Sequence, residues 1–243
     1  MNLGQYNTLT ILRETEPGLF LGNEQDEEVL LPNRYKPEDF RIGDALDVFV
    51  YLDNEERPIA TTEAPFLTLN TFGYLRCCDV NEHGAFVDWG LVKQLFVPFR
   101  EQARPMKVGH WYIVYLYLDQ KTNRLVGSSK TNRFLTQEGM TLEKFDPCEV
   151  LVTHLTEKGA NVIINQKHQG LIYIDDIFED IRSGDKLTAY VKKVREDGKV
   201  DIVLQPVGYR SIEPNAAYIL EELEAAGGFF PLSDASSPDL IRQ

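Results

Sequence analysis

Gly43 and Gly109 stand 66 residues apart, and so do Asp53 and Asp119. Around these marks one order of short segments recurs. In the first stretch, Tyr6–Leu12, Gly18–Gly22, Glu28–Pro32, Leu46–Asp53 and Arg57–Thr62 read as short strands separated by turn residues. In the second, Leu67–Val80, Gly84–Val87, Leu95–Pro98, Trp111–Asp119 and Arg124–Ser129 take the same places, and Val108-Gly109-His110 stands where Ile42-Gly43-Asp44 stood. A third copy runs through Cys148–Thr156, Gly159–Val162, Gln169–Ile174, Lys186–Val194 and Lys199–Leu204, with Ser183-Gly184-Asp185 as its turn. Five short strands in about 60 residues suit a small barrel, and equal offsets at two places point to duplication. The chain is therefore expected to be mainly β, with three tandem five-stranded barrels at 1–64, 65–140 and 141–210.

Two segments fall outside the repeat. Asn132 to Leu142 reads as a short helix or an ordered linker. From 211 to 243 the period changes: Ile219, Leu220 and Leu223 share a face that Pro214 can open and Gly227-Gly228 can close, as at the start of a helical unit.

The central hairpin sets the functional question. His83 to Pro98 is two alternating runs around a turn at Gly90 to Gln94. Successive strand side chains point to opposite faces, so Val87 and Trp89 take one side and Phe86 and Asp88 the other. The apolar pair belongs inside a barrel, which turns the Phe86 ring outward. Trp89, Phe96 and Trp111 are expected in the core, while Tyr74, Tyr115 and Tyr117 read chiefly as packing aromatics.

The net charge of −13 opposes general polyanion binding, but it is unevenly spread. Residues 1–64 hold 5 Lys/Arg against 14 Asp/Glu, a net of −9, whereas 65–140 hold 9 against 6, a net of +3. The remaining stretches, 141–210 and 211–243, carry −2 and −5. Only the middle unit is basic, and it is also rich in aromatics. Single nucleic-acid strands bind basic surfaces of this kind by stacking bases on such rings while cations hold the backbone. Phe86 and His83 are the candidate stacking residues, with Tyr74 assisting, and Arg76, Lys93, Arg124 and Lys130 are the candidate phosphate ligands.

Other function classes find less support. No apolar run approaches the roughly 20 residues of a membrane helix, and the start lacks a secretory pattern, so no membrane role is expected. Three cysteines, Cys77, Cys78 and Cys148, fit neither a disulfide framework nor spaced metal ligands, and read as free thiols in a reducing cytoplasm. His110, His154 and His168 show no ligand spacing and read as surface or turn residues. No catalytic motif is present, so neither an enzyme nor a cofactor is expected.

His83-Gly84-Ala85-Phe86-Val87-Asp88-Trp89-Gly90, then Gln94 to Pro98, then a Val-Gly turn and two strands, resembles the S1 RNA-binding domain, a five-stranded OB barrel. The third unit resembles it independently through Gly159-Ala160, Gly170 to Tyr173 and Ser183-Gly184-Asp185. Three such units before the start of a helical domain are similar to the conserved virulence factor B family, which pairs S1-like domains with a C-terminal winged helix. The resemblance implies a cytoplasmic regulator that binds single-stranded RNA and influences virulence genes. It places His83 and Phe86 at exposed aromatic positions of the S1 face. It places Tyr173 at a third-strand position often held by His, equated with Val97 in the second unit. The same face has Lys158 and Asn161 in the third unit, and Phe20 alone in the first. An alternative is a scaffold that keeps the barrels without RNA, with a protein partner on the acidic first barrel. That barrel could also lie over the basic one and restrain it.

Overall fold

The alternation of the sequence becomes strand pairing in a computed structural model, which describes residues 1–205 together with 223 and 224. Barrel 1 is built from β1 (Gln5–Thr15), β2 (Gly18–Gly22), β3 (Glu28–Pro32), β4 (Ala45–Leu52) and β5 (Pro58–Thr61). Barrel 2 uses β6 (Phe72–Val80), β7 (Gly84–Asp88), β8 (Leu95–Pro98), β9 (Trp111–Asp119) and β10 (Arg124–Ser128). Barrel 3 uses β11 (Pro147–Thr156), β12 (Gly159–Ile164), β13 (His168–Tyr173), β14 (Lys186–Val194) and β15 (Val200–Val203). The expected helical segment at 211–243 lies outside the described residues, apart from 223 and 224.

Each unit follows one topology. A three-stranded meander is joined by the fourth strand returning beside the first, and the fifth strand pairs with the fourth. Barrels 1 and 3 close through a parallel pairing, Leu30 opposite Ile59 in one and Gly170 to Ile172 opposite Val200 to Ile202 in the other. In barrel 2 the five strands form an open sheet, β10-β9-β6-β7-β8, with no β8–β10 ladder. Its seam is tied by side chains: Gln102 Nε2 donates to Val97 O at 2.9 Å and Ser128 Oγ to Glu101 O at 3.3 Å.

The repeated glycines have two structural duties. Gly18, Gly84 and Gly159 open the second strand of each barrel, and a Cβ there would come within 2.0, 2.5 and 1.9 Å of a carbonyl oxygen on the third strand. No side chain fits at that approach. The turn glycines dock on the first strand at its bulge. Gly43 N donates to Ile11 O, Gly109 N to Cys77 O and Gly184 N to Val152 O, each at 2.8 Å. The first-to-second-strand register shifts just after those same acceptors, and the bulge bends the long first strand around the barrel.

Inward residues of the meanders, such as Leu19, Leu21 and Leu31 in barrel 1 and Ala160, Val162 and Ile172 in barrel 3, are almost wholly buried. Each large one contributes about 1.5–3 kcal/mol of apolar burial. The barrels also share cores. Phe49 and Tyr51, on the outer side of β4, pack edge-on against Trp89 at centroid distances of 5.8 and 6.2 Å. On the far side of barrel 2, Phe72 is buried with Leu151 and Ile163 of barrel 3, against Ile113, Tyr115, Phe134 and Leu135. Trp89 is thus a core residue as expected, in a core that two barrels share.

Four expectations need correction. Trp111 is half exposed, because it enters β9 at the sheet's end on the outer face. Phe96 is on the outer face too, directly opposite Phe86. His168 is buried, its Nδ1 lying 2.7 Å from Thr136 O in the connection between barrels 2 and 3. The first strand of barrel 2 begins at Phe72, since Leu67–Asn70 is a lead-in that runs along the N-terminal segment, with Leu69 N donating to Gly4 O. The 132–142 connection contains no helix beyond a single 3-10 turn at Thr131–Arg133.

Candidate nucleic-acid interface

The outward parity of Phe86 produces the site. Ala85 and Val87 on β7 and Leu95 and Val97 on β8 fill the interior, so Phe86 and its cross-strand partner Phe96 meet on the outer face. Their rings lie 5.2 Å apart with an interplanar angle of 40°, a tilted aromatic pair. They form one wall of a groove of about 560 Å³, lined also by His83, Lys93, Gln94 and Arg124 of barrel 2 and by Tyr51, Asn54 and Glu56 of barrel 1. The groove therefore lies between two barrels.

Its cations are fixed by the β4–β5 turn of barrel 1. Lys93 Nζ donates to Asp53 O at 2.7 Å and stands 3.4 Å from Glu56 Oε1. Arg124 Nε stands 3.4 Å from the other oxygen of the same carboxylate. Glu56 thus bridges both cations at long range, from a backbone with φ of +61°. The turn is braced by Asp53, whose carboxylate accepts the Glu55 and Arg57 amides at 2.8 and 3.0 Å. Burial raises the Asp53 carboxyl, but those bonds and the Arg57 guanidinium outweigh it and hold it below its ordinary value. Trp89 donates its indole N–H to Lys93 O, which anchors the β7–β8 turn. Burial, then the nearby Tyr35 hydroxyl, pushes the Tyr51 phenol well above its usual range, so it lines the groove uncharged. His83 sits at the rim, largely exposed and 3.6 Å from Glu82.

Of the nine residues named from the sequence, the groove gathers His83, Phe86, Lys93 and Arg124. Tyr74 lies elsewhere, stacked on Trp111 at 5.3 Å and pressed against Gly184 of barrel 3, where a Cβ would meet its Cδ1 at 2.0 Å. Arg76 is exposed on β6. Lys130 lies two residues beyond β10, just before the Thr131–Arg133 turn, its N–H bonded to Ser128 Oγ. Lys158 occupies the exposed β11–β12 turn. Tyr173 receives a hydrogen bond from Arg195, which pairs with Asp201 at 2.6 Å. Tyr173 faces the strand-opening Gly159 as Pro98 faces Gly84, so its counterpart is Pro98, not Val97.

The sequence reading missed Phe96, Glu56, Asn54 and Tyr51. Phe96 was accessible from the hairpin register, which pairs it with Phe86. The other three depend on how barrel 1 docks, and no local pattern carries that. The equivalent faces of the other barrels are differently covered. In barrel 1 the Arg13 guanidinium lies 4.3 Å over the Phe20 ring and is held by Glu28 through bonds of 2.6 and 2.8 Å. In barrel 3, Asn161 replaces the ring and contacts His154 Nε2 at 3.2 Å.

Comparison with known proteins fits this architecture. Residues 3–63, the first barrel, match the S1 domain family model. The chain is 32% identical to the uncharacterized protein YitL of Bacillus subtilis, over all of this chain and 84% of that one. It is 21% identical to conserved virulence factor B of Staphylococcus epidermidis, over 85% of this chain and 72% of the relative. A solved multidomain protein with nucleic acid binding domains from Streptococcus pneumoniae is 26% identical, covering 99% of this chain and 87% of that one, with a TM-score of 0.47. With its repeated OB-type barrels and these relatives, the chain belongs to the conserved virulence factor B family.

Proposed function

We propose that the chain binds single-stranded RNA in the barrel 2 groove, as a non-catalytic regulator of gene expression acting in the cytoplasm. The observation that carries this is the Phe86–Phe96 pair lining the same groove as Lys93 and Arg124. Bases stack on the rings, and the two cations take the phosphates. The S1 match over residues 3–63 supports the choice of ligand, and the staphylococcal relatives, conserved virulence factor B, support a role connected with virulence. Glu56 occupies the cations in the free protein, and phosphate displaces it on binding. The free thiols Cys77, Cys78 and Cys148 agree with a reducing compartment.

The test is a titration of a dye-labelled 12-nucleotide single strand, read by anisotropy at two salt concentrations. The double variant Phe86→Ala, Arg124→Ala should weaken binding and flatten its salt dependence. Unchanged affinity and slope would overturn this site.

A further inference from the structure

We infer that Trp111 is a second stacking post for the same RNA strand, beside Arg76 and outside the groove. This rests on the reading of barrel 2 as an RNA-binding barrel, and extends it to the outer face of β9 and β6.

Trp111 is 50% exposed, an unusual state for so large an apolar side chain. One face of its indole is occupied by Tyr74, stacked at 5.3 Å and 28°. Tyr74 is itself wedged against the Gly184 turn of barrel 3. The indole is therefore backed by a packed ring, so little side-chain freedom remains to be lost when a base stacks on it.

The charge around it suits phosphate. Arg76 is opposite Trp111 in the β6–β9 ladder, hence on the same face, and is exposed with no ion pair among the described residues. Lys107, just before the Gly109 turn that leads into Trp111, is likewise exposed and unpaired among the described residues. By contrast, Lys93 and Arg124 in the groove already face Glu56.

The two places are joined. Arg76 also pairs with Asp88 on β7, so Trp111, Arg76 and Asp88 form a row across three strands. At strand spacings of about 4.8 Å this row is about 10 Å wide. Phe86 is the next outward residue of β7. Asp88, the one carboxylate in the row, accepts the Gly90 amide at 2.9 Å. A strand lying over Phe86 and Phe96 can continue past Arg76 to Trp111 within the 4–16 nucleotides that one OB fold takes up, roughly.

Tryptophan fluorescence tests this on the full chain, which has two tryptophans, Trp89 and Trp111. The 12-nucleotide single strand, added to saturation by its own dye anisotropy, should quench emission. The quench should vanish in Trp111→Phe, and Trp111→Ala should weaken binding about tenfold. Binding with an equal quench in Trp111→Phe, or with none in either protein, overturns the inference while the groove reading stands. Absence of binding to the parent chain removes the groove reading and this inference together.

Discussion

The Glu56 carboxylate of barrel 1 stands 3.4 Å from the Lys93 ammonium of barrel 2, and its second oxygen stands 3.4 Å from Arg124. An acidic turn thus supplies the counter-ion for the two cations proposed to take phosphate. Pairs this exposed are each worth about 0.2–1 kcal/mol after screening. Removing the competing charge should therefore tighten RNA binding modestly. Glu56→Gln is expected to raise affinity about two- to fivefold and to steepen the fall of affinity with salt, because both cations then release bound anions. Anisotropy titrations at low and moderate salt check both. Weaker binding in the variant would mean that Glu56 holds the groove in shape instead.

The barrels should differ in what their faces contribute. Phe86 lines the open groove, whereas Phe20 at the matching position lies under the Arg13 guanidinium that Glu28 locks in place. Phe86→Ala should cost about 1–3 kcal/mol of RNA affinity. Phe20→Ala should leave it within about twofold, since Arg13 already covers that ring. Parallel titrations of the two variants decide whether the acidic barrel takes part.

Much of this architecture is legible in residue parity. Ala85 and Val87 alternate with Phe86 and Asp88, and the glycines at 18, 84 and 159 recur wherever a carbonyl crowds the second strand. Parity fails on β9. Its inward Val114 and Leu116 and its outward Ile113 and Tyr115 are all apolar, because barrel 3 covers the outer side. An alternation between two apolar faces gives no sign of which is buried, so the exposure of Trp111 was hidden. Glu56 was hidden for another reason. Its partners lie 37 and 68 positions further along the chain, and only the docking of barrel 1 against Trp89 brings them near.

Two glycines separate close approach from backbone strain. At Gly159 a Cβ would lie 1.9 Å from Ile172 O, while at Gly109, with φ of +82°, nothing stands within 4 Å. Gly109→Ala should cost only the left-handed backbone strain, about 1–2 kcal/mol. Gly159→Ala must also force two strands apart and should cost about 3 kcal/mol or more. Denaturant midpoints of the two variants give the order. Equal losses would show that the second strand can shift to admit a methyl group.

Cys148 makes stability depend on pH in the alkaline range. Burial, with a smaller contribution from Asp146, pushes its thiol from the ordinary 9.0 up to about 11. Well below pH 9 the thiol is neutral in both folded and unfolded chains, and stability is unaffected. Between about pH 9 and 11 the unfolded chain gives up the proton while the native chain retains it, so stability falls as pH rises. Cys77 is shifted the same way, chiefly by burial, and adds to the effect. Cys148→Ala should therefore lose stability at neutral pH through the cavity it leaves, yet show a shallower decline from pH 9 to 11 than the parent chain. Thermal midpoints across that range measure the difference in slope. Native-state alkylation at pH 8 gives an independent reading: Cys78, the half-buried thiol, should label first, and Cys77 and Cys148 only after unfolding.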